Sequence, residues 1–284
     1  MKSDKSGKVV LVVIEDLNRR AMEEAGTPNM DILVKAGALG FVPLPGGQSS
    51  RAFPLCGILT SKESPGLPDI DEVNPFTETT GSIVNLAHRK GRSTAGYFCR
   101  SRFHNLFHLY GPFDHPSSPP AGQAGSNRER MGTAAFAARE IVSVRPDFCL
   151  IYLACQENVG RRPAVGSSLN LKHIRMSDAS LGVLLDAMSL FGLFGEYHIL
   201  LTGEMGGQSK EITEGYSGET AVPWLACGPR IVRGAAVSGP LSLIDTAPTA
   251  AELMHLPQLP VWQGKPVQEA LVDLTGGRHE RNVA

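Results

Sequence analysis

The sequence predicts an α/β fold, a mostly parallel sheet with helices on both faces, and three observations carry that prediction. Short apolar runs rich in β-branched residues recur at 9–14, 93–98, 148–153, 198–202 and 224–227, and the first has no polar residue alternating within it. Strands that are apolar on both faces belong to sheets covered on both sides. Helix-period patterns lie between the runs, which is the alternation of a parallel sheet with crossover helices. Finally, the first run ends in Glu15 and Asp16, polar groups delivered to the carboxyl edge of a strand, where such sheets hold their ligands.

Each element has its own justification. The pattern over 28–36 follows Thr27, a residue type that caps helices, starts with Pro28 in the first turn and stops at Gly37. Over 128–144, apolar groups repeat at Met131, Ala135, Ala138 and Val142. Over 177–190, Leu181, Leu184, Leu185 and Met188 form one stripe. The Pro- and Gly-rich stretch 111–125 reads as a surface loop, with a lid over the site as the sharper alternative. The polar tail after Gly276 reads as a frayed end. One large domain over 1–276 with a disordered tail at 277–284 is therefore expected, since 284 residues suffice to bury one substantial core.

Composition narrows the function classes. Hydrophobic content of 42%, charged content of 19% and a formal net charge of −1 give no electrostatic reason to expect nucleic acid or an acidic membrane surface as partner. A small-molecule substrate is the expected partner, and no composition feature sets an oligomeric state. The five cysteines are odd in number and widely spaced, with Cys149 and Cys227 inside apolar runs, a usage that suits a reducing cytoplasm. The apolar run before Glu15 is shorter than that of a signal peptide or a membrane span, so a cytoplasmic location is expected.

Four segments, in order, carry a resemblance. They are the first strand ending in Glu15 and Asp16; Thr27, Pro28, Asn29, Met30 and Asp31; the segment from Phe53 through Leu59, Thr60 and Ser61; and Val222-Pro223 followed by Asp245, Pro248 and Thr249. The set resembles the alkaline phosphatase superfamily, most closely its type I phosphodiesterase and nucleotide pyrophosphatase branch, with sulfatases a little further away. That resemblance implies an alkaline phosphatase-like α/β fold. It also implies a site in which Asp, His and a hydroxyl or modified thiol hold two cations and attack phosphorus or sulfur.

The residues at the family's functional positions are different ones. The first-strand Asp falls on Glu15, and the nucleophile position falls on Ala52 beside Arg51, with Ser49 and Ser50 nearby. The mid-chain Asp and His positions fall on Glu157 and Arg161, and the next Asp–His pair falls on Glu204 and Met205. The last His has no counterpart; Tyr216 or Glu219 stands closest. Aligned imidazoles are thus missing while a carboxylate stands at each aligned acidic position. A guanidinium at a ligand position repels a cation rather than binding it. Three carboxylates facing one pocket need compensation, for which Arg51 and Arg161 are available, and crowding of this kind tunes acids and bases.

Other residues keep two readings. His104, after the strand at 93–98, stands near the place of a sulfatase Lys-Trp-His motif, and a satisfied structural histidine is the alternative. His108 could share a helix face with it, although Phe103, Leu106 and Phe107 between them look like packing. Asp114 and His115 in the Pro-rich loop rank lower as site residues. Cys56 reads as a small buried residue, because no basic neighbour in sequence would make a thiolate. Asp245 is expected to hold the first turn of a helix together with Pro248.

Three functional readings follow. The first is a repurposed enzyme doing metal-independent acid–base chemistry (isomerisation, elimination or cyclisation) on a small polar metabolite. Glu15, Glu157 and Glu204 would exchange protons, Arg51 and Arg161 would orient an anionic group, and His104 or Tyr216 would relay protons. The second is a catalytically inactive pseudoenzyme used for ligand or partner binding. The third is a hydrolase of phosphate, phosphodiester or sulfate esters with an all-oxygen site from Glu15, Asp16, Glu157 and Glu204. No cofactor is expected under the first reading, and a hard cation such as Mg or Mn suits the third. Elemental analysis of the purified protein should find zinc and iron far below one per chain; near-stoichiometric zinc or iron would refute the metal-independent reading.

Overall fold

Strand β1 (Lys8–Glu15) pairs in parallel with β5 (Phe148–Leu153) along one edge and with β6 (Tyr197–Glu204) along the other. The computed structural model of the protein describes residues 7–44, 54–63, 81–98, 111–117, 127–153, 166–204 and 220–272. Its sheet also contains β2 (Ala38–Leu44), β3 (Thr94–Phe98), β4 (His115–Ser117), β7 (Thr220–Cys227) and β8 (Ala235–Ala236). The strand order is β4-β3-β5-β1-β6-β7-β2-β8. Every pairing is parallel except those of β7, which runs against both β6 and β2.

Both faces of this sheet are covered, which explains the uninterrupted apolar run in β1. Val9, Leu11 and Val13 pack with helices α3 (Pro54–Thr60), α4 (Ile83–Arg89) and α7 (Thr246–Leu253). Val10, Val12 and Ile14 pack on the other face with α1 (Arg19–Ala25), α2 (Pro28–Ala36), α5 (Asn127–Ser143) and α6 (Ser168–Leu190). All six are between 0 and 1% exposed, each contributing about 2 kcal/mol of gross burial energy against the entropy of ordering the chain. Two large buried side chains find partners for their polar atoms: the Tyr197 hydroxyl donates to the Pro146 carbonyl at 2.9 Å, and the Trp224 indole N–H donates to Thr246 Oγ1 at 3.2 Å. Cys56, Cys149 and Cys227 are buried.

The helices depart from the sequence reading in instructive ways. Helix α2 has the expected bounds and stops at Gly37, a position that only glycine fits because a Cβ there would collide with the Ala226 carbonyl oxygen on β7. Thr27 does not cap it; its hydroxyl donates to the Met22 carbonyl instead. The cap comes from Asp178 in α6, whose carboxylate accepts from the Met30 amide at 2.9 Å, the Asn29 amide at 3.2 Å and the Asn29 side chain at 2.9 Å. Burial pushes the Asp178 pKa up, while these same bonds pull it back. In α5 the inward residues are Ala134, Ala137, Ala138 and Ile141, and Ala135 is exposed. A helix so rich in alanine has little apolar contrast of its own, so its neighbours decide which side turns in. Helix α6 begins at Ser168 behind a Ser167 cap, well before the expected start at 177, because its polar first turns conceal it from an apolar pattern.

Asp245 stands at the N-cap of α7, where its carbonyl accepts from the Thr249 hydroxyl at 2.7 Å, but its carboxylate does not cap the helix: it accepts from the Ser242 amide at 2.8 Å and the Lys265 amide at 2.9 Å, closing the short turn Leu243–Asp245 and anchoring a distant loop. The expected surface loop 111–125 includes β4, paired with β3, and Asp114 accepts from the Thr94 amide at 2.8 Å; residues 118–125, and with them most of the suggested lid, lie outside the described residues. Strand β2 was hidden by Gly40 and Pro43, which weaken a strand pattern. The tail at 277–284 lies outside the described residues. Among the described residues, no helix is long and apolar enough to cross a membrane.

His198, near the start of β6, ties three segments together. Its Nδ1 lies 3.2 Å from the Lys8 carbonyl, and its Nε2 accepts from the Arg230 amide at 3.3 Å, a pair of bonds that suits a neutral ring protonated at Nδ1. Burial lowers its pKa to about 4. A folded pKa below the unfolded value of about 6.5 means that the unfolded chain binds the proton first, so this stabilisation is complete above about pH 6.5 and is lost as pH falls towards 4. Denaturant unfolding should show the protein about 2 kcal/mol less stable at pH 5 than at pH 7.5. His198→Gln should flatten that part of the profile; an unchanged profile in the variant would assign the pH dependence to other groups.

Candidate active site

The carboxyl ends of β1 and β6 are in register, with Ile14 opposite Gly203 and Glu15 opposite Glu204. Register neighbours on adjacent strands stand about 5 Å apart at Cα. Side chains alternate along a strand, so Glu15 follows Leu11 and Val13, and Glu204 follows Leu200, onto the face against which α3 packs. Both carboxylates are buried, at 2% and 5% exposure. Glu204 Oε1 accepts from the Leu55 amide at 3.4 Å, so one carboxylate takes up an N–H of the first turn of α3, which has no partner within the helix. Two buried carboxylates side by side require donors or cations around them, and the Leu55 N–H is one such donor.

The backbone between the two strands is tightly constrained. Asp16 has φ 58°, the left-handed region that few residues other than glycine adopt, and its amide donates to the Glu204 carbonyl at 2.7 Å. The chain then crosses the end of β6 so closely that a Cβ on Gly203 would lie 2.1 Å from the Leu17 carbonyl oxygen. Leu17 is buried on the opposite face, and α1 starts behind Asn18, whose Oδ1 accepts from the Ala21 amide at 2.9 Å. The turn at Asp16 thus leaves Glu15 on one face of the sheet and sends the following chain to the other.

Of the residues singled out from the sequence, Glu15 and Glu204 are brought together. Arg51, His104, Glu157, Arg161 and Tyr216 lie outside the described residues, as do Ala52, His108 and Met205. Cys56 is a packing residue of α3, buried in the core with its sulfur 3.6 Å from Thr60 Oγ1. His115 belongs to β4, and Asp114 has its Oδ1 3.2 Å from His88 Nδ1. Sequence reasoning missed Gly203, Asn18 and Asn170, the last two of which donate to the Asp16 carbonyl. An asparagine just ahead of a helical pattern was a signal for Asn18; nothing local marks Asn170. Among the described residues no three His, Cys, Asp or Glu side chains are grouped so as to hold a metal ion. The described donors Glu15, Asp16 and Glu204 therefore do not by themselves make the cation site that the sequence resemblance implies.

Profiles of known protein families include none that matches the chain. A curated relative, Arylsulfatase K of Xenopus laevis, is 32% identical over 89 residues, covering 29% of this chain and 17% of that protein, so the chain matches only about one-sixth of the relative's length. Among solved structures, an alkaline phosphatase superfamily protein from Vibrio parahaemolyticus is similar with a TM-score of 0.68 at 14% identity, covering 94% of this chain and 71% of that one. Murine ectonucleotide pyrophosphatase/phosphodiesterase 5, an inactive variant in complex with AMP, is similar with a TM-score of 0.65 at 13% identity, covering 93% of this chain and 100% of that one. At such identities the likeness establishes the fold.

Gly203→Ala tests the constraint at the strand ends. The added methyl would collide with the Leu17 backbone, which cannot rotate away as a side chain would, and overpacking of this kind costs about 1–3 kcal/mol. Thermal or denaturant unfolding should register that loss; a variant as stable as the parent would show that the chain after β1 is free to move.

Proposed function

We propose, from the premise that the chain has the alkaline phosphatase superfamily fold, that it is an enzyme in which the family's metal-centred hydrolysis has given way to acid–base chemistry on a small polar molecule. The observation that supports this most is the buried, in-register pair Glu15 and Glu204 at the carboxyl ends of the two central strands. General acid–base catalysis needs one group to donate and one to accept within reach of the same substrate. Two carboxylates on adjacent strands, facing the same helix, would be that donor and that acceptor. Arg51 and Arg161 would bind an anionic group of the substrate, Glu157 would join the carboxylates, and His104 or Tyr216 would pass protons to solvent. Isomerisation, elimination or cyclisation fits such a group better than phosphoryl or sulfuryl transfer. Ala52 offers no nucleophile at the position where the resemblance places one.

The reading is tested in two assays. Purified protein should not hydrolyse 4-nitrophenyl phosphate, bis(4-nitrophenyl) phosphate or 4-nitrophenyl sulfate, with or without added Mg or Mn. Incubation with a small-metabolite extract followed by mass spectrometry should show one compound replaced by an isomer or an elimination product. Glu15→Gln and Glu204→Gln should each slow that conversion by about a hundredfold or more, and a chelator should leave it unchanged. Chelator-sensitive ester hydrolysis would instead establish the hydrolase reading with an altered metal site. No conversion of any component would favour the inactive binding protein.

A further inference from the structure

Asp16 is one of the few residues other than glycine with positive φ among those described, and it stands between the carboxylate pair and the crossing over Gly203. A left-handed residue that is not glycine costs free energy and persists only where its surroundings over-determine it. Two buried asparagines supply that determination. Asn18 Nδ2 and Asn170 Nδ2 both donate to the Asp16 carbonyl, each at 3.4 Å. Neither side chain is free to turn away. Asn18 Oδ1 is committed to the Ala21 amide at 2.9 Å, and Asn170 Oδ1 to the Gly166 amide at 3.0 Å, so each amide's nitrogen is directed at Asp16. They are 2% and 0% exposed, and they come from different elements, the cap of α1 and the first turn of α6.

We propose that Asn18 and Asn170 are positioning residues for the Glu15–Glu204 pair. Clamped from two sides, the Asp16 carbonyl fixes the left-handed turn, and the same peptide turn aims the Asp16 amide at the Glu204 carbonyl. That bond holds the end of β6 against the end of β1, and so holds Glu204 where it meets the Leu55 amide. The proposal rests on reading Glu15 and Glu204 as a functional pair, yet its geometry is measurable without any substrate.

Asn18→Asp and Asn170→Asp are the variants of choice, because each keeps the oxygen that caps its own helix or loop and turns the donating nitrogen into a charged acceptor facing the Asp16 carbonyl. Ser167→Ala is the control: it removes the α6 cap, whose hydroxyl accepts from the Asn170 amide, without touching Asp16. Site-resolved amide hydrogen exchange on the full chain is the readout. In each Asp variant the Asp16 and Leu55 amides should exchange at least about tenfold faster, while amides in the middle of β5 keep their protection. In Ser167→Ala the Asp16 and Leu55 amides should keep theirs. Unchanged exchange at both amides in the Asp variants, or an equal rise in Ser167→Ala, would overturn the proposal and leave the asparagines as ordinary caps. Should Asn170→Asp fail to fold, Asn18→Asp decides on the same criterion. Since exchange reports geometry and turnover reports chemistry, failure here is distinguishable from failure of the acid–base reading.

Discussion

Everything in this molecule depends on β1 being buried on both faces and paired on both edges. Its six aliphatic residues have no contact with water, so helices must cover the sheet above and below, and the strand cannot lie at an edge. Parallel pairing with β5 and β6 then requires crossover connections, which α5 and α6 supply. The same constraint places the site. A strand whose body is apolar on both sides presents polar groups only where it ends, and β1 ends at Glu15 with Glu204 beside it.

The strand ends also explain why the local backbone is so exacting. Glu15 stays on the face of α3 while the following chain passes to the face of α1, and the left-handed turn lies between them. Asp16 makes that turn, Gly203 lets the chain pass, and the buried asparagines hold the carbonyl. The carboxylates therefore sit on the rigid centre of the sheet and are joined through backbone hydrogen bonds, an arrangement suited to preorganised chemistry.

Long-range polar contacts perform roles that a sequence assigns to neighbours. Helix α2 is capped by Asp178 from α6, the turn before α7 is tied by Asp245 to Lys265, and His198 binds the chain at Lys8 to the loop at Arg230. Each satisfies backbone groups of another segment, and each joins segments far apart in sequence. Stability in this fold is accordingly shared between an apolar sheet and a few buried polar staples, of which the one at His198 is sensitive to acid.

By itself, the sequence determined the fold class, the positions of five strands, the bounds of α2, the inward stripe of α6 and the delivery of Glu15 and Glu204 to strand ends. Those features follow from burial, which leaves a periodic apolar record, and from ordered motifs that resemble a known superfamily. Only the tertiary structure decided the rest: the reversed direction of β7, the strand β2 beside it, the side of α5 that turns inward, and the true roles of Thr27 and Asp245. It also decided that Glu15 and Glu204 are register neighbours, and that Asn170 reaches the turn between them. The physical reason is that hydrogen bonds and close backbone approaches between distant segments leave no periodic trace. Asn170 and Gly203 acquire their meaning only when another part of the chain arrives beside them.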